Sequence, residues 1–186
     1  MTNAYVALLR GINVGGKNII SMADLAQWFN DAGYQDVQTY IQSGNVVFRP
    51  PDLHDAEGAK LEAELEEAIS AALQKPIMVV VRSRAEIEEV VAAAPQSHGD
   101  EGRRSDVIFL KHPERAAQIF QQFPALQEGV DEAHLGSGVI YFSRLAAQAS
   151  KSRMSRIVGT AVYREMTIRN WRTTNRLLQM LSPSGD

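Results

Sequence analysis

The sequence predicts an α+β fold, and three observations support that prediction. Apolar patterns of strand and helix period alternate along the 186 residues in the order β-α-β-β-α-β-α, and the same order then occurs a second time. Each half of the chain carries one short polar turn between two strand patterns, which is typical of a hairpin. Short segments of the first half also resemble segments of the second half. We therefore predict two tandem copies of one unit, each with an antiparallel sheet and its helices on one face.

Seven elements are predicted in the first half. They are a strand over 4–9, a helix over 21–33, strands over 37–41 and 46–48, a helix over 56–74, a strand over 77–81 and a helix over 83–94. Ser21 is a favourable N-cap, because its hydroxyl accepts a backbone N–H of the first turn. Gly33 ends the same helix, because glycine readily adopts the left-handed conformation. The acidic run at 62–67 is predicted to be an exposed helix face.

The second half repeats this order. Its predicted elements are a strand over 107–110, a helix over 114–123, strands over 133–135 and 139–142, a helix over 146–158, a strand over 165–168 and a final helix capped by Asn170. Segment 96–104, between the halves, is polar and contains two glycines, so we predict a mobile connector. The predicted domains are accordingly 1–95 and 105–182.

Three pairs of short segments recur in the same order and at similar spacing in the two halves. The pairs are SGNVVF at 43–48 with SGVIYF at 137–142, AQWF at 26–29 with AQIF at 117–120, and VRS at 81–83 with IRN at 168–170. A repeated β-α-β-β-α-β unit with one hairpin is most simply ferredoxin-like. The predicted fold class is therefore α+β, with two tandem ferredoxin-like βαββαβ(α) units that form an α/β sandwich.

Composition excludes several classes of site. The chain contains no cysteine, which rules out disulfides, a thiol nucleophile and any zinc site with cysteine ligands. The formal net charge of -3 argues against a protein coated by nucleic acid. The four histidines show no metal-ligand spacing, so no metal site is predicted. No apolar stretch approaches the length of a membrane span and no signal peptide is recognised, so we expect a cytoplasmic protein without a membrane partner.

A glycine-rich basic loop, LLRGINVGGKN at 8–18, follows the first predicted strand. Glycine lets backbone N–H groups converge on one point, while Arg10 and Lys17 add positive charge. This combination predicts an anion-binding loop. Its predicted ligand-binding residues are Arg10, Asn13, Gly15, Gly16 and Lys17. The alternative is a structural turn whose glycines are needed only because the backbone adopts positive φ.

The same stretch nearly matches the nucleotide-binding P-loop pattern, G-x-x-x-x-G-K-[ST]. Asn18 stands where that pattern needs a serine or threonine hydroxyl for Mg²⁺. The loop also does not lead directly into a helix, because Ile19 and Ile20 come before the Ser21 cap. We therefore do not predict nucleotide-triphosphatase chemistry.

The predicted hairpin turn QSGN at 42–45 completes the candidate site. In a β-α-β unit the first two strands run in the same direction, because a helix returns the chain between them. The glycine-rich loop and the hairpin should then lie at one edge of the sheet, with Gln42, Ser43 and Asn45 placed to orient a ligand. A hairpin alone needs only the glycine and the asparagine, so the structural alternative stays open here too.

Three segments of the chain resemble a widespread bacterial family. They are LLRGINVGGKN at 8–18, TYIQSGNVVF at 39–48 and TIRNW at 167–171. The family they resemble is the domain-of-unknown-function family 1697, and the resemblance covers nearly the whole chain. It implies an α+β fold. It carries no established activity, so catalytic residues and cofactors remain unassigned.

The C-terminal region is basic, and RNWR at 169–172 places an aromatic ring among guanidinium groups. Such a surface suits base stacking and phosphate contacts, although a helix cap at Asn170 and a core position for Trp171 explain the same residues. Our leading hypothesis is the binding of a small phosphate- or carboxylate-bearing ligand at the glycine-rich loop. The alternatives are a nucleic-acid-binding module with a basic C-terminal surface, and an enzyme that acts on a phosphorylated or nucleotide substrate.

Overall fold

The structure is a computed structural model that describes residues 3–16, 18–51 and 58–182. Within these ranges it is an α+β fold with two four-stranded antiparallel sheets. The first half contains β1 (Tyr5–Leu9), α1 (Met22–Asp31), β2 (Gln35–Tyr40), β3 (Asn45–Arg49), α2 (Gly58–Leu73), β4 (Val79–Ser83) and α3 (Arg84–Ala92). The second half contains β5 (Arg103–Leu110), α4 (Ala116–Gln121), β6 (Asp131–Leu135), β7 (Val139–Leu145), β8 (Met166–Asn170) and α5 (Trp171–Leu181).

Packing divides the chain into two units. The first unit comprises the described residues up to Ile87 together with those from Arg176 onward, and the second comprises Glu88–Asn175. Both boundaries fall inside helices, α3 and α5. The predicted division into 1–95 and 105–182 follows the repeated sequence pattern instead, and it stays a prediction.

The sheet of the first unit has the strand order β2-β3-β1-β4. Alternate residues of β1 lie on one face, where Ala7 is paired with Val46 of β3 and with Val81 of β4. Helices α1 and α2 pack on that face, because their apolar residues recur every three or four positions. The buried helix residues are Leu25, Phe29, Leu61, Leu65 and Ile69. As predicted, Ser21 caps α1, and its hydroxyl accepts the Asp24 N–H at 3.0 Å.

The acidic run that begins at Glu62 is not a uniformly exposed face, which corrects the prediction. Glu62 is only 5% exposed. Because β4 is the last strand in the sheet order, alternate N–H groups of β4 point away from any strand partner. Glu62 Oε1 accepts the Val81 N–H, and Glu66 Oε1 accepts the Val79 N–H, both at 2.8 Å. Arg82 balances the buried charge, with its Nη1 3.2 Å from Glu62 Oε1.

The sheet of the second unit has the strand order β6-β7-β5-β8, again antiparallel throughout. One face carries Ile108 of β5, Phe142 of β7 and Met166 of β8, and Ile119 of α4 packs against them. The helix predicted over 114–123 is α4 preceded by a 3₁₀ turn at Pro113–Arg115.

The single helix predicted over 146–158 does not form. Three 3₁₀-helices occupy this region, at Ala146–Lys151, Met154–Gly159 and Ala161–Glu165. Serine side chains compete with the backbone for hydrogen bonds, and here Ser152 Oγ accepts the Met154 N–H at 3.3 Å between two of the helices. Local hydrogen bonding therefore overrides the apolar pattern, although Ile157 still reaches the core of the unit.

The predicted connector 96–104 is anchored in the second unit. β5 begins earlier than predicted, and His98 is buried with 8% exposure. The His98 ring lies edge-on to Tyr141 and Trp171, with ring centroids 5.4 and 4.9 Å apart. Gly99 has a φ of +96°, and a Cβ there would lie 2.5 Å from the Trp171 ring. Gly99 is one of the two glycines that led to the prediction of a mobile connector, and close packing against Trp171 requires it.

Candidate functional site

The glycine loop, residues 10–18, leaves the sheet from a base that is fixed on both sides. The Leu9 N–H donates to the Gly44 carbonyl at 2.8 Å, and the Arg10 N–H donates to the Met78 carbonyl at 2.9 Å. The first bond reaches the hairpin between β2 and β3, and the second reaches the chain just before β4. The predicted proximity of the glycine loop and the hairpin is confirmed.

Asn13 joins the glycine loop to its surroundings. Its Nδ2 donates to the Ile20 carbonyl and to the Gln42 carbonyl, both at 2.9 Å. Its Oδ1 accepts the Ile20 N–H at 2.8 Å. The backbone of Asn13 has a φ of 53°, which asparagine adopts more readily than most residues. Both amide hydrogens are thus used inside the chain, where they hold the loop against the hairpin.

Gly44 allows the glycine loop to lie directly on the hairpin. It has a φ of +78°, and a Cβ here would lie 2.7 Å from Ile12 Cδ1 and 2.9 Å from Leu9 Cβ. Ile12 is 1% exposed, so the loop is anchored from below by an apolar side chain. A larger residue at position 44 would push the loop away from the sheet.

Gly15 and Gly16 form the tip of the glycine loop. Their φ angles are 59° and 72°. Two consecutive positive φ angles are typical of a type I′ turn, which glycine adopts without steric cost. Both residues are exposed, and an added Cβ would meet nothing within 4 Å. The turn itself therefore requires the glycines. Lys17, the second predicted cation of the loop, lies outside the described residues.

The predicted hairpin residues differ in burial. Asn45 is fully buried at 0% exposure, and its Nδ2 donates to the Tyr40 carbonyl at 2.9 Å and to Ser43 Oγ at 3.0 Å. Ser43 is half-buried, whereas Gln42 is exposed. Asn45 therefore holds the turn in shape, and Gln42 is the hairpin residue most accessible to a ligand.

Three exposed aliphatic residues lie in or next to the glycine loop and the hairpin turn. Val14, Ile19 and Ile41 are exposed by 64%, 75% and 46%. Val14 follows Asn13 in the chain, Ile19 precedes Ile20, and Ile41 precedes Gln42. The Asn13 side chain is hydrogen-bonded to both Ile20 and Gln42. Ile41 also has a φ of 48°, a strained conformation for a β-branched residue. We call Val14, Ile19 and Ile41 the apolar rim. It was not predicted, because its only signal in the sequence is an aliphatic residue beside each polar turn position.

The C-terminal motif contributes mainly to the structure of the second unit. Asn170 Oδ1 accepts the Thr173 N–H at 2.8 Å, which confirms the predicted cap of α5. Arg169 is buried, and burial lowers its pKa to about 10. Trp171 is half-buried and Arg172 is exposed. Arg169 is thus shielded from solvent, whereas Asn170 and Arg172 are exposed beside the half-buried Trp171.

The pKa of the buried His98 ring lies well below its ordinary value. The pKa falls to about 4, first because burial disfavours the charged ring, and then because His134 and Arg103 add positive charge nearby. Within the described residues, His98 Nε2 has no hydrogen-bond partner. The ring is therefore neutral at pH 7 and packs as an aromatic residue.

No group of three or more His, Asp or Glu side chains in residues 3–16, 18–51 and 58–182 has a geometry that would hold a metal ion. None of the helices in the same ranges combines the length and the apolar character needed to cross a membrane.

Comparison with known proteins identifies relatives of this chain. The sequence pattern of the family described as "Protein of unknown function (DUF1697)" matches residues 1–141. That range includes the glycine loop and the hairpin, whereas the TIRNW segment at 167–171 lies beyond it. A conserved bacterial protein from Streptococcus pneumoniae has a similar solved structure, with a TM-score of 0.81 and 28% sequence identity over 98% of this chain and 100% of that one. No curated protein matches the chain.

Proposed function

The chain belongs to the DUF1697 family of proteins of unknown function, and we propose that it binds a small phosphate- or carboxylate-bearing ligand at the glycine loop. The hydrogen bond from Asn13 Nδ2 to the Gln42 carbonyl, at 2.9 Å, carries the proposal. It holds a basic loop, an exposed glycine turn and the exposed Gln42 around one point. A ligand would meet a loop and a hairpin that this bond already joins, so ordering the two on binding would cost little entropy.

The anionic end of the ligand is proposed to contact the basic and backbone groups of the glycine loop. These groups are the Arg10 guanidinium, the Gly15 and Gly16 N–H groups and the Lys17 ammonium. A hydrogen bond to a charged group contributes about 1.5–3 kcal/mol. Asn13, Ser43 and Asn45 already share hydrogen bonds within the chain, so in this proposal they shape the site beside the ligand.

The proposed ligand also has an apolar part. Val14, Ile19 and Ile41 are exposed beside the glycine loop and the hairpin. Covering apolar surface stabilises a complex by about 25 cal/mol per Å² of area removed from water. An inorganic anion would leave this rim uncovered. We therefore favour an organic phosphate or carboxylate with an alkyl or aryl body.

We also propose that the chain contains two copies of one ferredoxin-like βαββαβ unit that form an α/β sandwich. Both sheets share one internal strand order, which supports duplication. Gly44 and Gly138 each precede the equivalent strand with φ angles of +78° and +68°. Arg82 pairs with Val6, and Arg169 pairs with Val107, at matching registers. The loop after β5 contains no glycine pair, so we assign ligand binding at a glycine loop to the first copy.

Location and the alternative functions rest on the sequence. The chain has no cysteine, which suits a reducing compartment, so we propose a cytoplasmic protein. Binding of nucleic acid and catalysis on a phosphorylated substrate stay predictions. A salt-sensitive shift of single-stranded RNA would favour the former, and turnover in a phosphatase or nucleotide screen would favour the latter.

The test of the proposal is thermal unfolding with three probes: inorganic phosphate, hexyl phosphate and hexanoate. A ligand that binds only the folded protein raises its melting temperature. Hexyl phosphate should give the largest shift, because it uses both the basic loop and the apolar rim. Arg10→Ala and Lys17→Ala should each weaken binding about tenfold to a hundredfold.

Lys60→Ala is the matched control. It removes a positive charge from α2 of the same unit, at a side chain that is 74% exposed. Binding should be retained in this variant. If no probe stabilises the wild type while Arg10→Ala and Lys17→Ala unfold at lower temperature, the glycine loop is only a scaffold and the proposal fails.

A further inference from the structure

Two arginines of the second unit stand directly opposite each other on neighbouring strands. Arg104 of β5 pairs with Arg144 of β7 in the antiparallel register. Directly opposite residues share one face of a sheet with Cβ atoms about 4.5–5.5 Å apart, and like charges there are destabilising. An evolved sheet that keeps such a pair at a strand end needs a source of negative charge.

The chain supplies part of that charge through two carboxylates. Asp131 of β6 stands directly opposite Arg144 in the antiparallel register, on the other side from Arg104. Asp106 lies two residues from Arg104 and so on the same face, and its Oδ2 is 3.7 Å from Arg144 Nη1. That distance is too long for a hydrogen bond. Burial also raises the pKa of Asp106, although Arg144 and Arg104 oppose this shift. Across the part of the chain that the structure describes, the Arg104 side chain makes no hydrogen bond and no ion pair.

The two arginines also line two adjoining clefts of the second unit. One cleft has a volume of about 560 Å³ and is bordered by Ser150, Ser155 and Tyr163. The other has a volume of about 460 Å³ and is bordered by Trp171 and Arg172. Both volumes lie in the range of small-molecule sites. Hydroxyl groups and aromatic rings thus surround the arginine pair on two sides.

Arg144 is held in place without a ligand. Its guanidinium lies 6.0 Å from the centre of the Phe142 ring, a cation–π contact, and Asp106 limits its other side. Arg104 is exposed, so its guanidinium is free to close on a bound group. One held and one exposed guanidinium suit a dianion, because each presents paired N–H donors to two oxygens.

We propose that Arg104 and Arg144 form an anion site in the second unit, and that it takes a small phosphate monoester with an aromatic body. The phosphate lies between the two guanidinium groups and cancels their repulsion. The body lies in one of the two clefts, against Tyr163 or Trp171. This site shares no residue with the glycine loop, and it stands whether or not that loop binds a ligand.

The test is calorimetric titration with phenyl phosphate, inorganic phosphate and a single-stranded RNA, each at low salt. Phenyl phosphate should bind more tightly than inorganic phosphate. Arg104→Gln and Arg144→Gln should each weaken it at least tenfold. Arg156→Gln, which removes an exposed arginine of the same unit that lines neither cleft, should leave it unchanged. Arg10→Ala should also leave it unchanged, which separates this site from the glycine loop.

Stability without ligand gives an independent readout. Because the arginines repel each other, Arg104→Gln should raise the melting temperature of the free protein by about 1–3 °C while it removes binding. A purely structural arginine would show the opposite sign. The proposal is overturned if phenyl phosphate does not bind the wild type, or if both Gln variants bind it normally. The proposal is also overturned if the RNA binds but phenyl phosphate does not, and Arg156→Gln weakens RNA binding as much as Arg104→Gln and Arg144→Gln do. That result would indicate a diffuse nucleic-acid surface.

Discussion

The Asn13 side chain donates to the Gln42 carbonyl at 2.9 Å, and this hydrogen bond links the glycine loop to a hairpin 29 residues further along the chain. Two more hydrogen bonds from the same side chain hold Ile20. One asparagine side chain thus joins the glycine loop to the segment that follows it and to the hairpin turn.

We expect Asn13→Ala to destabilise the protein by about 1.5–4.5 kcal/mol, because three hydrogen bonds of about 0.5–1.5 kcal/mol each are lost. Urea denaturation measures the free energy of unfolding. Asn13→Gly is the control, since it loses the same bonds but suits the φ of 53° at this position. It should be less destabilised than Asn13→Ala. A loss below about 0.5 kcal/mol in both variants would mean that water replaces these bonds.

Gly44→Ala should cost more stability than Gly15→Ala. Both residues have positive φ, but only at Gly44 would a Cβ lie 2.7 Å from another atom, Ile12 Cδ1. Backbone strain alone predicts a loss of about 1–2 kcal/mol at Gly15. Overpacking adds about 1–3 kcal/mol at Gly44. Equal losses in urea denaturation would contradict the packing role assigned to Gly44.

The order of strands and helices was predictable because it depends on local patterns. A short apolar run predicted β1, and an apolar run after a hairpin signal predicted β3. Ser21 and Asn170 marked helix starts through hydroxyl and amide groups that the structure uses as caps. The predicted helix over 146–158 does not form, although its apolar pattern is helical. The serine hydrogen bonds that interrupt it are local, but the apolar pattern does not reveal them. The role of Glu62 was not predictable, because it depends on β4 lying at a sheet edge.

The position of the candidate site was predictable, but the hydrogen bonds and packing contacts of its residues were not. Strand direction alone brought the glycine loop beside the hairpin. The partners of Asn13 and the contact between Gly44 and Ile12 depend on how the loop closes in three dimensions. Arg104 and Arg144 are far apart in sequence, and only the register of β5 with β7 makes them neighbours.

Acidification should destabilise the second unit through His98. The folded pKa, about 4, lies below the value of 6.5 that the ring has when exposed. The unfolded chain therefore binds the proton first, and stability falls as the pH drops from about 6.5 towards 4. The slope is about 1.4 kcal/mol per pH unit, so pH 5 should cost roughly 2 kcal/mol relative to neutral pH.

His98→Phe should remove this part of the pH dependence, because phenylalanine keeps an aromatic ring against Tyr141 and Trp171 but takes up no proton. The measurement is urea denaturation at pH 7 and pH 5. His112→Gln is the control, since it removes a histidine whose side chain is 51% exposed. If the drop between the two pH values is as large in His98→Phe as in the wild type, His98 is not its source.

At the edge of the first sheet, Glu62 makes two separate interactions. Its Oε1 accepts the Val81 N–H at 2.8 Å and also faces Arg82 Nη1 at 3.2 Å. Glu62→Leu removes both and leaves a buried guanidinium with less charge compensation, so it should cost about 3–5 kcal/mol. Glu62→Gln keeps a carbonyl acceptor for Val81 but removes the charge, so it should cost less than Glu62→Leu. Glu66→Gln is the matched control on the next helical turn, because Glu66 accepts the Val79 N–H in the same way and is only half-buried. It should change stability by under about 1 kcal/mol. Urea denaturation of the three variants separates the two interactions. If Glu62→Gln and Glu66→Gln are equally stable, the charge opposite Arg82 contributes nothing to stability. Both carboxylates would then act only as hydrogen-bond acceptors for N–H groups of β4.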